Sequence, residues 1–220
     1  MSVLINPYRF GGGGGAGGIT VVETAGYGNA STVYNFSETL LENDLVIRAW
    51  ANDINTQWNS SGQTAGYTNA IPHLAINGVP NIWIEYKFMG ATPDTSVRTG
   101  TGSKVCNIIY VLRGVDTTTP QDATAVRAEP ALREPPPITT VTDGALVIAV
   151  GGLDDDGDAV VIAWPTGYTD QVEANTGGTS GSALAFSSKI VPTAGVEDPT
   201  FYQWNFTDGS NGYTTAWRPA

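Results

Sequence analysis

The sequence has almost no groups with which to do chemistry. Among 220 residues there is one histidine, His73, and one cysteine, Cys106. A single cysteine rules out an intrachain disulfide. Cys106 lies in an apolar β-rich run, where a buried, inert thiol is expected rather than a reactive one. His73 stands between Pro72 and Leu74 in a predicted loop, with no neighbouring pattern of zinc ligands or triad partners. The many serines therefore have no evident base. Charge is scarce as well: Asp, Glu, Lys and Arg make up 14% of the chain. Basic residues number 10 against 21 acidic ones, a net charge of −11, which disfavours nucleic acid as a partner. No apolar run approaches the length that spans a membrane, and the N-terminus has no charged region of the kind that opens a secretion signal.

What the sequence does have is glycine (27), proline (13) and a visible excess of Thr and Val. That mixture suits short strands joined by tight turns and predicts an all-β protein. The alternation is clearest in two places. Ile82, Ile84, Tyr86 and Phe88 alternate with Trp83, Glu85 and Lys87; Tyr202, Trp204 and Phe206 alternate with Gln203 and Asn205. Strands are predicted over 19–24, 32–36, 44–51, 81–89 and 104–115. After a proline-rich link they are predicted over 139–141, 145–151, 159–164, 168–173, 182–191, 200–206 and 213–218. No segment carries a helical repeat.

The chain also repeats itself. Leu45-Val46-Ile47 returns as Leu146-Val147-Ile148, and Gly66-Tyr67-Thr68 as Gly167-Tyr168-Thr169. Gly66 follows Leu45 at the same distance as Gly167 follows Leu146. Tyr86-Lys87 and Ser188-Lys189 then close a strand in each copy, and Leu112-Arg113-Gly114 and Trp217-Arg218-Pro219 end the copies. Neither unit can bury both faces of its sheet alone. Packed together they make one two-sheet sandwich, jelly-roll-like, with pseudo-two-fold symmetry. The pseudo-repeats run over about 38–116 and 139–219 within a domain of 19–220.

Ahead of that domain stands a short apolar arm, Met1 to Phe10, followed by the glycine-rich stretch to Gly18. Val3, Leu4, Ile5, Tyr8 and Phe10 are too few to build a core; with Arg9 they read as a peptide that contacts another protein chain.

Three further features stand out in the sequence. Asp154, Asp156 and Asp158 form a dense acidic turn that reads either as a calcium loop or as a solvated bend; the spacing is not that of an EF-hand. Trp204 and Trp217 belong to apolar strands and are expected in the core, whereas Trp83 shares the polar side of its strand and Trp58 lies in a loop. Trp58 and Trp83 are therefore the residues for a carbohydrate or a subunit contact. Arg113 and Asp116 are expected to pair, tying a strand end to its turn.

The run Leu112-Arg113-Gly114-Val115-Asp116-Thr117, with Pro120-Gln121-Asp122, resembles a β-sandwich module of tailed-bacteriophage virion structural proteins that also occurs in bacterial surface proteins. The same holds for Thr142-Asp143-Gly144-Ala145-Leu146-Val147, for Pro165-Thr166-Gly167-Tyr168-Thr169 and for Trp217-Arg218-Pro219. In both Gly-x-Thr turns Tyr stands where the family has Trp. The resemblance implies a non-enzymatic virion protein, a head decoration or tail-fibre module. Its expected partners are other virion proteins and copies of itself, with neither nucleic acid nor membrane insertion. An adhesin that binds host surface glycan is the alternative. A polysaccharide-degrading enzyme would need paired carboxylates that nothing in the sequence singles out.

Overall fold

The structure is a computed structural model. It describes residues 17–28, 33–52, 66–71, 79–99, 104–128, 134–155, 158–177 and 181–220. Among them there is no helix. The first half contains β1 (Thr20–Tyr27), β2 (Val33–Asn35), β3 (Leu45–Asn52), β4 (Thr68–Asn69), β5 (Asn81–Phe88), β6 (Ser96–Arg98) and β7 (Val105–Arg113). The second contains β8 (Gln121–Arg127), β9 (Ile138–Thr139), β10 (Ala145–Asp155), β11 (Val161–Ala163), β12 (Thr169–Asn175), β13 (Gly181–Val191), β14 (Val196–Glu197), β15 (Gln203–Trp204) and β16 (Ser210–Trp217).

Two five-stranded antiparallel sheets form the sandwich. One has the order β1-β7-β3-β5-β4; the other, read from its far edge, is β8-β16-β10-β13-β12. The orders are the same once β8 stands for β1, β10 for β3, β12 for β4, β13 for β5 and β16 for β7. Register agrees. Leu45 pairs with Phe88 on one side and Leu112 on the other; Leu146 pairs with Ile190 and Trp217. Tyr67 and Tyr168 each sit just before the equivalent strand, after a glycine with positive φ (93° at Gly66, 79° at Gly167).

The duplication extends to side chains. Lys87 binds Asp94 at 2.6 Å and lies 6.0 Å from the Tyr67 ring centre. Lys189 binds Glu197 at 2.8 Å and lies 5.8 Å from that of Tyr168. In the first half the β1 carboxylate Glu23 accepts hydrogen bonds from the backbone N–H groups of Ser37 and Glu38, and one from the Tyr34 hydroxyl. In the second the β8 carboxylate Asp122 accepts from the N–H groups of Val141 and Thr142. Each latch holds the segment that leads into the central strand.

Burial raises the Asp122 carboxyl, but hydrogen bonds from Thr142, Val141 and Arg218 outweigh it and hold the group below its ordinary 3.8. A carboxyl lowered on folding stabilises above its unfolded value, and that contribution is lost as pH falls through the folded one. Acid unfolding of the protein should therefore steepen below pH 3.8. Asp122→Asn should be less stable at neutral pH and show a shallower fall in melting temperature over that acid range, which thermal melts across pH will read.

The inner faces interlock. Leu45, Ile47, Ile84, Tyr110 and Leu112 meet Leu146, Ile148, Val150, Phe186 and Trp217 in one cluster. Tyr110 packs on Phe186 at 6.1 Å, and Tyr86 meets Trp217 edge-on at 5.2 Å. Each such side chain taken fully from water contributes about 1.5–3 kcal/mol. The halves are stitched at their ends by a bridge between Val115 and Pro219. Cys106 is buried in the same core, and burial pushes its thiol up to about 12.

Several sequence expectations are corrected. The pairing of Arg113 with Asp116 is replaced. Arg113 donates two 2.7 Å bonds to the buried Asp44, while Asp116 caps its own turn through Thr118 N and Thr119 N. The strand expected over 145–151 runs on to Asp155, so part of the acidic segment is strand rather than turn. The strand expected over 200–206 shortens to Gln203–Trp204, and that over 159–164 to Val161–Ala163. β8 lay outside the prediction altogether.

Candidate interaction surfaces

Each sheet has an outer face, and here the two halves diverge. On β3 every position is buried, so the side facing away from the sandwich is covered too. Arg48 lies there, opposite Glu85 of β5. Its Nε and Nη2 donate to Glu85 Oε2 at 3.0 and 2.8 Å, and Nη1 donates to the Arg98 carbonyl of β6 at 2.8 Å. The guanidinium also lies 4.1 Å from the Tyr67 ring centre and 5.3 Å from that of Trp50. Burial, opposed by the Arg48 charge, pushes the Tyr67 hydroxyl pKa up. Two residues along, on the same face, Trp50 and Trp83 stack at 5.9 Å with their planes 13° apart.

In the second half the same register positions are small. Ala149 pairs with Ser187 where Arg48 pairs with Glu85, and Gly151 with Ala185 where Trp50 pairs with Trp83. The space is filled from outside by Tyr202 and Trp204, which join Val147, Ala149, Ala183 and Ala185 in a second cluster. The Tyr202 hydroxyl donates to the Ala149 carbonyl at 2.7 Å and lies 2.9 Å from Ser187 Oγ. Gly151 is required by this contact: a Cβ there would lie 2.5 Å from Tyr202 Cδ2.

Tyr202 and Trp204 arrive on a ribbon made of β11 and β15, in which Val161 faces Trp204. It is the one paired element of the second half with no counterpart among the described residues of the first. Val160 lies across from Asn205, whose N–H its carbonyl accepts, Ala163 pairs with Gln203, and Ile162 sits at the register irregularity between the two pairs, turned to solvent. Ile162 is 57% exposed, Phe201 54%, Phe206 42% and Val160 38%. Four large apolar side chains are thus exposed on or beside one short ribbon, the kind of surface that marks an interaction site.

The residues singled out from sequence fall as follows. Trp83 is on the outer face of the first sheet, 6% exposed and stacked on Trp50, so the protein itself occupies that ring face. Trp204 and Trp217 are core residues. Asp154 lies on β10; Asp158 is exposed, and its carbonyl accepts from the Asn205 side chain at 3.1 Å. Among the described residues no three His, Cys, Asp or Glu side chains converge as metal ligands would. Trp58, His73, Asp156 and the arm residues Val3, Leu4, Ile5, Tyr8, Arg9 and Phe10 lie outside the described residues.

The ribbon face was missed from sequence. Its signal was there in Val160-Val161-Ile162, a run whose alternate residues cannot all enter one core. The chain matches no protein-family model, no curated protein and no solved structure. The fold and its surfaces define a duplicated all-β sandwich in which, among the described residues, apolar side chains on and beside the β11–β15 ribbon are turned to solvent.

Proposed function

We infer that this chain is a non-enzymatic structural protein of a tailed-phage particle, anchored by its N-terminal arm and displaying the sandwich outward as a head decoration or tail-fibre module. The motif resemblance supports the class. The observation that carries the role is the exposed apolar surface on and beside the β11–β15 ribbon, with Ile162 and Phe201 more than half exposed. Exposed apolar area of this kind is what assembly uses.

The test is deletion of residues 1–18. The truncated chain should stay folded and soluble, with an unchanged circular dichroism spectrum, and should fail to enter particles when supplied in trans. Normal incorporation of the truncated chain would overturn the anchoring reading. Retained binding to host glycan by the truncated sandwich, with no role in assembly, would favour an adhesin instead.

A further inference from the structure

The ribbon face has a charge environment that narrows what can cover it. Between residues 135 and 217 the sequence holds a single basic residue, Lys189, and that side chain is paired with Glu197 at 2.8 Å. The acids beside the ribbon are several. Asp158 is exposed two residues before Val160, and Asp208 is exposed two residues after Phe206. Glu173 Oε2 accepts the N–H of Val161. An apolar centre inside an acidic rim calls for an occupant that is apolar and carries positive charge.

Size narrows it further. From the exposures of Val160, Ile162, Phe201 and Phe206, the apolar surface on offer is roughly 350 Å². A rigid pairing of two sandwiches ordinarily needs about 800 Å² from each partner. An extended peptide of some ten residues suits the smaller area. The first ten residues of this chain have the matching chemistry: Val3, Leu4, Ile5, Tyr8 and Phe10 are apolar, and Arg9 is the only charged side chain among them. The chain that follows leaves room for reach, since the seven residues from Gly11 to Gly17 span up to about 25 Å when extended.

We propose that the β11–β15 ribbon is the docking surface for the N-terminal arm of a second copy of this chain, with Ile162 and Phe201 against the arm's apolar residues and Arg9 against the acidic rim. This rests on reading the arm as an anchor, and it names what the anchor holds. Copies joined in this way run head to tail, each giving an arm and receiving one.

Full-length chains with one added cysteine test it, because Cys106 is buried and does not compete. Phe10→Cys in one preparation is mixed with Ile162→Cys in another and oxidised. Thr92→Cys, on the exposed loop after β5, serves as the control partner. The expected result is a mixed disulfide dimer in yield about tenfold above the control, reduced about tenfold again when Arg9→Glu is added. Equal yields at the two positions would overturn the proposal. So would a Phe10→Cys, Ile162→Cys double variant that closes only within its own chain, because the arm would then belong to its own sandwich. The particle test reads a different thing. An arm needed for incorporation that fails to cross-link here would leave the anchoring role standing and remove only this docking site.

Discussion

Glu85→Gln is expected to destabilise the protein by about 3–5 kcal/mol, because it leaves the Arg48 charge buried without its counter-ion. The side chains of Arg48 and Glu85 are 4% and 1% exposed. Two charge-assisted bonds at 3.0 and 2.8 Å join them. Neutralising one partner keeps the shape and removes the compensation, so the full desolvation cost of the guanidinium falls on the folded state. The second half shows that the frame itself does not need the pair, since Ala149 and Ser187 stand at the same register under an aromatic cover. The double variant Arg48→Met, Glu85→Leu should accordingly recover most of the loss. Urea unfolding of the two variants beside the wild type measures both effects. A Glu85→Gln loss under about 1 kcal/mol would mean that the guanidinium keeps adequate partners in the Arg98 carbonyl and the Tyr67 ring. The partly exposed pair Lys87–Asp94 gives the contrast: its side chains are 23% and 38% exposed, and Lys87→Ala should cost less than about 1 kcal/mol.

The frame was legible in the sequence wherever a strand is buried on its inner face and the repeat gave a second reading of it. Leu45 and Leu146 were matched from three apolar letters each, and the structure gives them the same neighbours. The turns before Tyr67 and Tyr168 were legible because a glycine with positive φ leaves a mark that few other residues can replace. β8 was not legible. Gln121-Asp122-Ala123-Thr124-Ala125 has little apolar alternation, because an edge strand that shares its burial with a latch carboxylate needs none. The partner of Arg113 was mistaken for a related reason. Sequence proximity favoured Asp116, but the pleat brings the start of β3 beside the end of β7, and Asp44 is already there. The outer faces were hardest to read. The stretch Val46 to Asn52 is buried on both sides, so Arg48 and Trp50 look like solvent-side residues by period and prove to be covered. The ribbon failed in the opposite sense, since Phe206 alternates with the buried Tyr202 and Trp204 and yet, like Ile162, is exposed.

Trp217→Ala is expected to cost about 3–5 kcal/mol and to weaken both sheets together. Trp217 is fully buried, pairs with Leu146 on β10, and meets the Tyr86 ring of the opposite sheet edge-on at 5.2 Å. Its Nε1 donates to Thr215 Oγ1 at 3.2 Å, so the ring is fixed by a bond as well as by packing. The next residues, Arg218 and Pro219, carry the seam: Asp116 N donates to the Arg218 carbonyl at 2.9 Å, and Pro219 bridges Val115. Removing the indole therefore opens a cavity between the sheets at the place where the two halves are joined. Leu112 holds the equivalent position in the first half, and Leu112→Ala should cost about 2–5 kcal/mol by the same mechanism. Since one core contains both residues, each variant should shift a single unfolding transition, seen alike by tryptophan fluorescence and by far-UV circular dichroism. Two separated transitions, one moved by each variant, would mean that the halves fold as independent units and that the shared core is not what joins them. Trp217→Phe, which keeps an aromatic ring near Tyr86, should fall between the wild type and Trp217→Ala; a loss as large as that of Trp217→Ala would assign the effect to the Thr215 bond instead of the cavity.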